Sequence, residues 1–267
     1  MLEKIMWSLP NIGCIYLMVR EKRKLTKDQR LASIIDSPAF DRLRQAMGNK
    51  EFMRFAKEKI IPVQGDLIIE GLGFSPEDLD MILNNAHVII NCAASVSFND
   101  PIHDALNINY FGCLRMLDLA QRTKNIQAFC HVSTAYVNSN LPKDSVIDEV
   151  ILNKDQEVER IVSQLMQMNP KEAEMKIDQI LDGYPNTYTF TKALAERSIN
   201  KKRGTLPCCI VRPTMVGSAL REPFPGWCDV VQAMAAPMFF AGIGIYRFMI
   251  GTGDESPDVV PVDYTCN

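Results

Sequence analysis

The sequence predicts an α/β fold, a Rossmann-like doubly wound parallel sheet. Two observations predict it. Five short runs rich in apolar and β-branched residues recur along the 267 residues, and near-continuous apolar runs of that length suit strands covered on both faces. Helical patterns separate them, and strand-helix alternation argues for parallel pairing.

The expected strands are residues 14–20 ("CIYLMVR"), 59–67 ("KIIPVQGDL"), 87–94 ("HVIINCAA"), 128–134 ("AFCHVST") and 207–213 ("PCCIVRP"). Ser75 opens a helix as its N-cap, with Pro76 at the first helical position and Glu77 and Asp78 in the first turn. Leu79, Ile82, Leu83 and Ala86 then recur at helical spacing. Residues 102–123 form another helix, with Leu106, Tyr110, Leu114, Leu117 and Ala120 along one side. Residues 151–182 break the rhythm as a charged, helix-prone insertion.

Composition is that of an ordinary globular protein, 47% hydrophobic and 23% charged. A net charge of -3 gives no electrostatic reason to expect nucleic acid. The eight cysteines include no C-x-x-C pair and there are three histidines, which argues against a zinc site. Most of those cysteines lie in apolar segments and read as small buried hydrophobes in a reducing, cytosol-facing location. The N-terminus lacks the layout of a signal peptide. Residues 230–246 ("VVQAMAAPMFFAGIGIY") hold Gln232, Pro237 and two glycines and are short for a membrane span of about 20 residues. They read as a buried or substrate-contacting segment.

The chemistry lies in "YPNTYTFTKA", residues 184–193. Tyr188 and Lys192 are helix neighbours at i and i+4. Such pairs are common by chance. Here, however, the pair follows Ser133 and Thr134 at the end of the fourth strand, and ligands of doubly wound sheets bind outside the carboxyl ends of strands. A phenol is a poor acid near neutral pH, and a neighbouring ammonium is expected to lower its pKa. Tyr188 would then protonate a carbonyl oxygen, with Thr134 or Ser133 bonded to the same atom. For Asn109, in "NINYFG", two readings stand: support of a helix or proton path behind Lys192, and a helix-internal polar contact.

Other residues suit a dinucleotide cradle. Asp66 in "QGDL" reads either as an acceptor for an adenine amino group or as a turn residue. Small residues in "CAAS" (92–95) allow close approach of a cofactor, or simply tight packing. Arg20, followed by Lys22, Arg23 and Lys24, suits a ribose 2′-phosphate, with a basic surface turn as the rival.

Together, "PNIGCIYLMVREK", "IIPVQGDL", "VIINCAASVSFND", "LNINYFGCLRMLDLA", "FCHVSTAYVNSN", "YPNTYTFTKALAE", "IVRPTMVGSALREPFPGW" and "VPVDY" resemble the extended short-chain dehydrogenase/reductases. More sharply, they resemble the alcohol-forming fatty acyl-CoA reductases, over almost the whole chain. The resemblance implies NADPH as cofactor and a long-chain fatty acyl-CoA as substrate, reduced through the aldehyde to the alcohol. It implies Tyr188 as proton donor, Lys192 as its tuner, Thr134 and Ser133 as carbonyl contacts and Asn109 as the family's helix asparagine. It places Arg20, Asp66, Leu67, Ala93 and Ala94 along the adenosine half. Arg212, Pro213, Thr214 and Val216 fall near the nicotinamide, and residues 218–250 against the acyl-CoA. It also implies attachment to an endoplasmic reticulum or peroxisomal membrane through regions outside this chain.

The sequence departs from that family at one point. Its members begin with a strand and a glycine-rich turn that holds the pyrophosphate at a helix N-terminus, and no such stretch occurs here. The expectation is a reductase domain over 1–267, incomplete at both ends, lacking a strand between those at 15–20 and 88–94 and carrying a helical insertion at 150–183. Two alternatives stay open: a catalytically inactive relative, and another extended reductase or epimerase acting on a sterol or sugar nucleotide.

Overall fold

The computed structural model describes residues 1–20, 25–152, 157–231, 235–248 and 257–267. The chain divides into two compact units, residues 1–63 with 213–267, and residues 64–212.

The first unit opens with α1 (Leu2–Ser8), β1 (Ile15–Val19) and α2 (Lys27–Ile35). Thr26 starts α2 through a capping box: its hydroxyl accepts from Gln29 N–H while the Gln29 side chain accepts from Thr26 N–H. Next come α3 (Asp41–Met47), α4 (Asn49–Lys59) and β2 (Ile60–Gln64), which pairs with β1. Apolar faces of these helices enclose a core of Met6, Ile35, Phe40, Leu43, Phe52, Ala56 and Ile60.

In the second unit, α5 (Pro76–Asn85) begins as its sequence predicts, with the Ser75 hydroxyl accepting from Asp78 N–H at 3.0 Å. Then follow β3 (Val88–Asn91) and one long helical stretch. Its parts are α6 (Ile102–Ala105), a π-turn at Leu106–Phe111 and α7 (Gly112–Arg122). A Cβ at position 112 would come within 2.9 Å of Leu67 Cβ, so Gly112 is what lets α7 cross the turn after β2. β4 is Ala128–Val132. Helices α8 (Val158–Gln167), α9 (Pro170–Met175) and α10 (Ile177–Leu181) precede α11 (Thr187–Lys202) and β5 (Cys208–Val211). Strands β3, β4 and β5 form a parallel sheet in register Ile90↔Cys130↔Cys209.

The chain then supplies the first unit with β6 (Met215–Gly217), α12 (Ala235–Gly242), β7 (Val259–Pro261) and α13 (Val262–Cys266), β6 and β7 being parallel. The Asp263 carboxylate accepts from the backbone N–H groups of Leu220, Arg221 and Glu222 at 3.0, 2.9 and 3.2 Å. These bonds outweigh the effect of burial and hold its carboxyl below the ordinary aspartate range.

The α/β class and parallel pairing match expectation. The described strands fall into sheets β1-β2, β3-β4-β5 and β6-β7, and no described strand joins β1 to β3, in keeping with the strand expected to be lacking there. Of the two readings of residues 230–246, buried or substrate-contacting, burial does not hold: none of the described residues there is buried. None of the residues of α12 is buried, and Met238, Phe239 and Ile243 stand exposed. This helix of eight residues is apolar around its whole circumference; Gln232 lies outside the described residues. Among the described residues no helix is long and apolar enough to cross a membrane.

Candidate active site

The site grows from α11. Asn186 caps the helix, its carboxamide oxygen accepting from Thr189 N–H at 2.9 Å. Buried residues run around the whole helix from Thr187 to Ile199. This is therefore a helix threaded through the interior, with Lys192 removed from bulk water and Tyr188 left partly open to it.

Lys192 is almost fully buried, and its ammonium donates to the Val132 carbonyl, the last residue of β4, at 2.8 Å. Burial lowers its pKa. Thr134, two residues on, is also buried; its hydroxyl accepts from Tyr136 N–H at 3.3 Å. Tyr188 is half-buried and hydrogen-bonded to Thr134. Ser133 donates its backbone N–H to Val211 at 2.7 Å, while its buried hydroxyl has no partner among the described residues.

Here one expectation is reversed. Tyr188 has its pKa raised, not lowered: burial dominates, the bond with Thr134 pulls the other way, and nearby Cys92 adds to the rise. The i, i+4 spacing shows only that Lys192 lies one turn on; the chain directs its ammonium to a strand carbonyl. Tyr188 therefore stays a protonated phenol at neutral pH, the state a proton donor needs.

Asn109 lies in the π-turn, a rare geometry that recurs at functional sites. Its carboxamide oxygen accepts from Ser95 N–H at 2.9 Å, and its NH₂ donates to Ser95 O at 3.1 Å and to Thr191 Oγ1 at 3.2 Å. Asn109 thus ties the loop after β3 to the Tyr-Lys helix. Thr191 and Ser95 were missed from sequence, although Thr191 sits within the Tyr-Lys segment.

Beneath Lys192 lies a buried polar cluster that sequence reasoning also missed. The His131 ring nitrogen Nδ1 is 3.2 Å from Asn91 Nδ2 and 3.4 Å from Cys113 Sγ. Burial first, and the Lys192 charge second, push His131 down to about 3; burial drives the Cys113 thiol up to about 12. Both are neutral at pH 7. An unfolded histidine takes up its proton near 6.5, whereas the folded one waits until about 3. Stability is therefore lost as pH falls through that window, by roughly 2 kcal/mol at about pH 5. Urea denaturation at both pH values should show this loss in the wild type and a smaller loss in His131→Gln, which cancels the groups common to both.

The remaining candidates divide between the units. Asp66, Leu67, Ala93, Ala94 and Arg212 share the unit of Tyr188; Arg20, Pro213, Thr214 and Val216 belong to the other. Ala93 is exposed and Ala94 half-buried on the loop after β3. Asp66 Oδ1 accepts from Ile68 N–H at 3.2 Å, closing its own turn, and Leu67 is buried with its carbonyl accepting from Arg115 at 2.6 Å. Arg212 grips Glu196 with both arms at 3.0 and 2.6 Å, and also donates to Val150 O at 3.0 Å. Arg20 is exposed, and its carbonyl accepts from Arg30. Lys22, Arg23 and Lys24 lie outside the described residues.

A model of the NAD-binding family described as "Male sterility protein" matches residues 1–267. The chain belongs to that family. Among its curated relatives, fatty acyl-CoA reductase 1 of Mus musculus is 36% identical over the whole chain, and that of Homo sapiens 34%. The chain spans 50% of each, about half the length of the relatives it matches. The resemblance read from the motifs is therefore matched from end to end. Among solved structures, the terminal R domain of the myxalamid PKS-NRPS pathway superposes with a TM-score of 0.65 at 22% identity, covering 98% of this chain and 56% of that one. The PhqB reductase domain from Penicillium fellutanum reaches 0.60 at 16% identity, covering 98% and 57%. These two share the fold, that of Rossmann-like reductase domains.

Proposed function

We propose that the chain carries the reductive chemistry of a fatty acyl-CoA reductase, taking a long-chain acyl-CoA thioester to the aldehyde with release of CoA as its thiol, and the aldehyde to the alcohol, with one NADPH for each of the two reductions. The observation that carries the reading is the meeting of three groups at the carboxyl end of β4: Lys192 donates to Val132 O at 2.8 Å, Thr134 is buried two residues on, and Tyr188, one turn before Lys192, feels the Thr134 hydroxyl. When bound, NADPH supplies the hydride that reduces a carbonyl carbon. Tyr188 gives the carbonyl oxygen its proton, and Thr134 bonds the same oxygen and fixes its direction. The unpartnered Ser133 hydroxyl offers one more donor at this strand end. The Lys192 ammonium, one turn on, supplies a positive charge that favours the phenolate left once the proton has gone.

The residues beside the reacting centre fit such a cofactor. The loop 92–95 is built of small side chains, two of them exposed, where a flat ring must come close. In the other unit, Arg20 is our candidate for a 2′-phosphate, its exposed side chain suiting a forked contact. The eight free cysteines fit work on the reducing, cytosolic side of a membrane such as the endoplasmic reticulum or peroxisome.

Two facts favour the rival reading, a relative that binds without turning over. Asp66 closes its own turn, and Arg212 is engaged with Glu196. Calorimetric titration with NADPH, followed by NADPH oxidation with palmitoyl-CoA and identification of the product, decides between them. Binding, with oxidation that yields hexadecanol, is expected. No binding would leave the non-catalytic reading, and oxidation only with sterols or sugar nucleotides would replace the substrate class.

A further inference from the structure

The loop that follows β3 changes character half-way. Cys92, Ala93, Ala94 and Ser95 are small; Val96 and Phe98 are large, apolar and turned outward, 63% and 60% exposed. Single exposed apolar side chains are ordinary. These two differ in where they stand and how firmly they are held. The Phe98 ring leans on the Tyr188 ring, centroids 6.0 Å apart and planes tilted by 40°. The loop beneath is fixed at both ends: Asn109 holds both backbone groups of Ser95, and Thr187 at the start of α11 donates to Asp100 O at 3.0 Å. Between them the Ser95 hydroxyl donates to the Asp100 carboxylate and accepts from Ser97 N–H at 3.4 Å. A loop so tied could fold its apolar side chains inward at little cost in bonds only if the ties were absent. Instead the ties keep Phe98 beside the phenol and open to solvent.

We propose that Phe98, flanked by Val96, is the surface against which the substrate's first methylene groups lie, and that it sets the preference for apolar acyl chains. This rests on the reading of the site as an acyl-CoA reductase. A carbonyl oxygen accepting from the Tyr188 hydroxyl at about 2.7 Å puts the adjoining acyl carbons within a few ångströms of the phenol. Phe98, whose ring meets that of Tyr188, supplies an exposed apolar face beside that point. Covering it removes its ring and the alkyl chain from water together. Because the loop is already ordered, little freedom is lost on binding. The small residues at 92–95 leave room for a cofactor, so one loop serves both ligands, divided by side-chain size.

The test uses the full chain, wild type, Phe98→Ala and Phe98→Leu, with decanoyl-CoA and acetyl-CoA as probes. Dissociation constants come from calorimetry, and KM and kcat from NADPH oxidation. Phe98→Ala should weaken decanoyl-CoA binding about tenfold and Phe98→Leu about threefold or less, on the usual scale for truncating an aromatic contact. Acetyl-CoA binding and melting temperature should hold. Equal losses for the two probes, or none for either, would overturn the role of Phe98 while leaving the reductase reading in place. Failure of the wild type to bind or reduce either decanoyl-CoA or palmitoyl-CoA would overturn both.

Discussion

Tyr188→Phe should lower the turnover of a long-chain acyl-CoA by about 10²–10⁴-fold, the range for losing a positioned proton donor. The substitution removes one oxygen. The ring keeps its place on the buried helix and its contact with Phe98, so packing is preserved. What goes is the proton and the partner of the Thr134 hydroxyl. The loss should fall on kcat, with KM for acyl-CoA, the dissociation constant for NADPH and the melting temperature close to wild type. The pH profile gives a second check. The acid must be protonated to act, and the Tyr188 pKa lies above its ordinary value of 10. On this group's account, wild-type activity should persist through neutral and mildly alkaline pH and fall only above about pH 10. Turnover in Tyr188→Phe within tenfold of wild type would remove the residue from the mechanism.

The second large effect concerns stability. Arg212→Ala should cost about 3–5 kcal/mol, because it strands a carboxylate that folding has taken out of water. Glu196 is only 2% exposed, and both its oxygens are held by Arg212. Replacing both partners with apolar residues, Glu196→Leu with Arg212→Met, should recover much of the loss. The solvent-facing pair Arg54–Glu51, 69% and 51% exposed, serves as contrast: its removal should cost less than about 1 kcal/mol. Urea denaturation measures all three. The outcome also bears on function. If Arg212→Ala kept full stability and lost NADPH affinity, the guanidinium would belong to the cofactor and not to Glu196.

What could be read from the sequence was whatever is decided locally. The Ser75 cap, the apolar strands and the spacing of Tyr188 and Lys192 each depend on a few neighbouring residues, and each reappears in the structure. What escaped depends on contacts across long separations. Asn109 and Thr191 are 82 positions apart, and no local pattern announces their bond. His131 meets Asn91 and Cys113 from two other elements. The Tyr188 pKa went astray for a related reason: spacing reports which residue is a turn away, whereas burial, which decides the direction here, is a property of the whole fold. The engagement of Arg212 was similarly hidden, although its partner Glu196 closes the same "YPNTYTFTKALAE" motif that pointed to the site.

The Asp263 carboxylate carries a different lesson. It gathers three consecutive backbone N–H groups, from Leu220, Arg221 and Glu222, and the loop that follows takes its starting direction from that grip. A residue some forty positions downstream dictates where the main chain goes, while the Glu222 side chain adds a second anchor of its own through Lys4 and Arg42. Such an arrangement works like a double latch: the main chain is fastened from one side by a carboxylate and the side chain from the other by two cations.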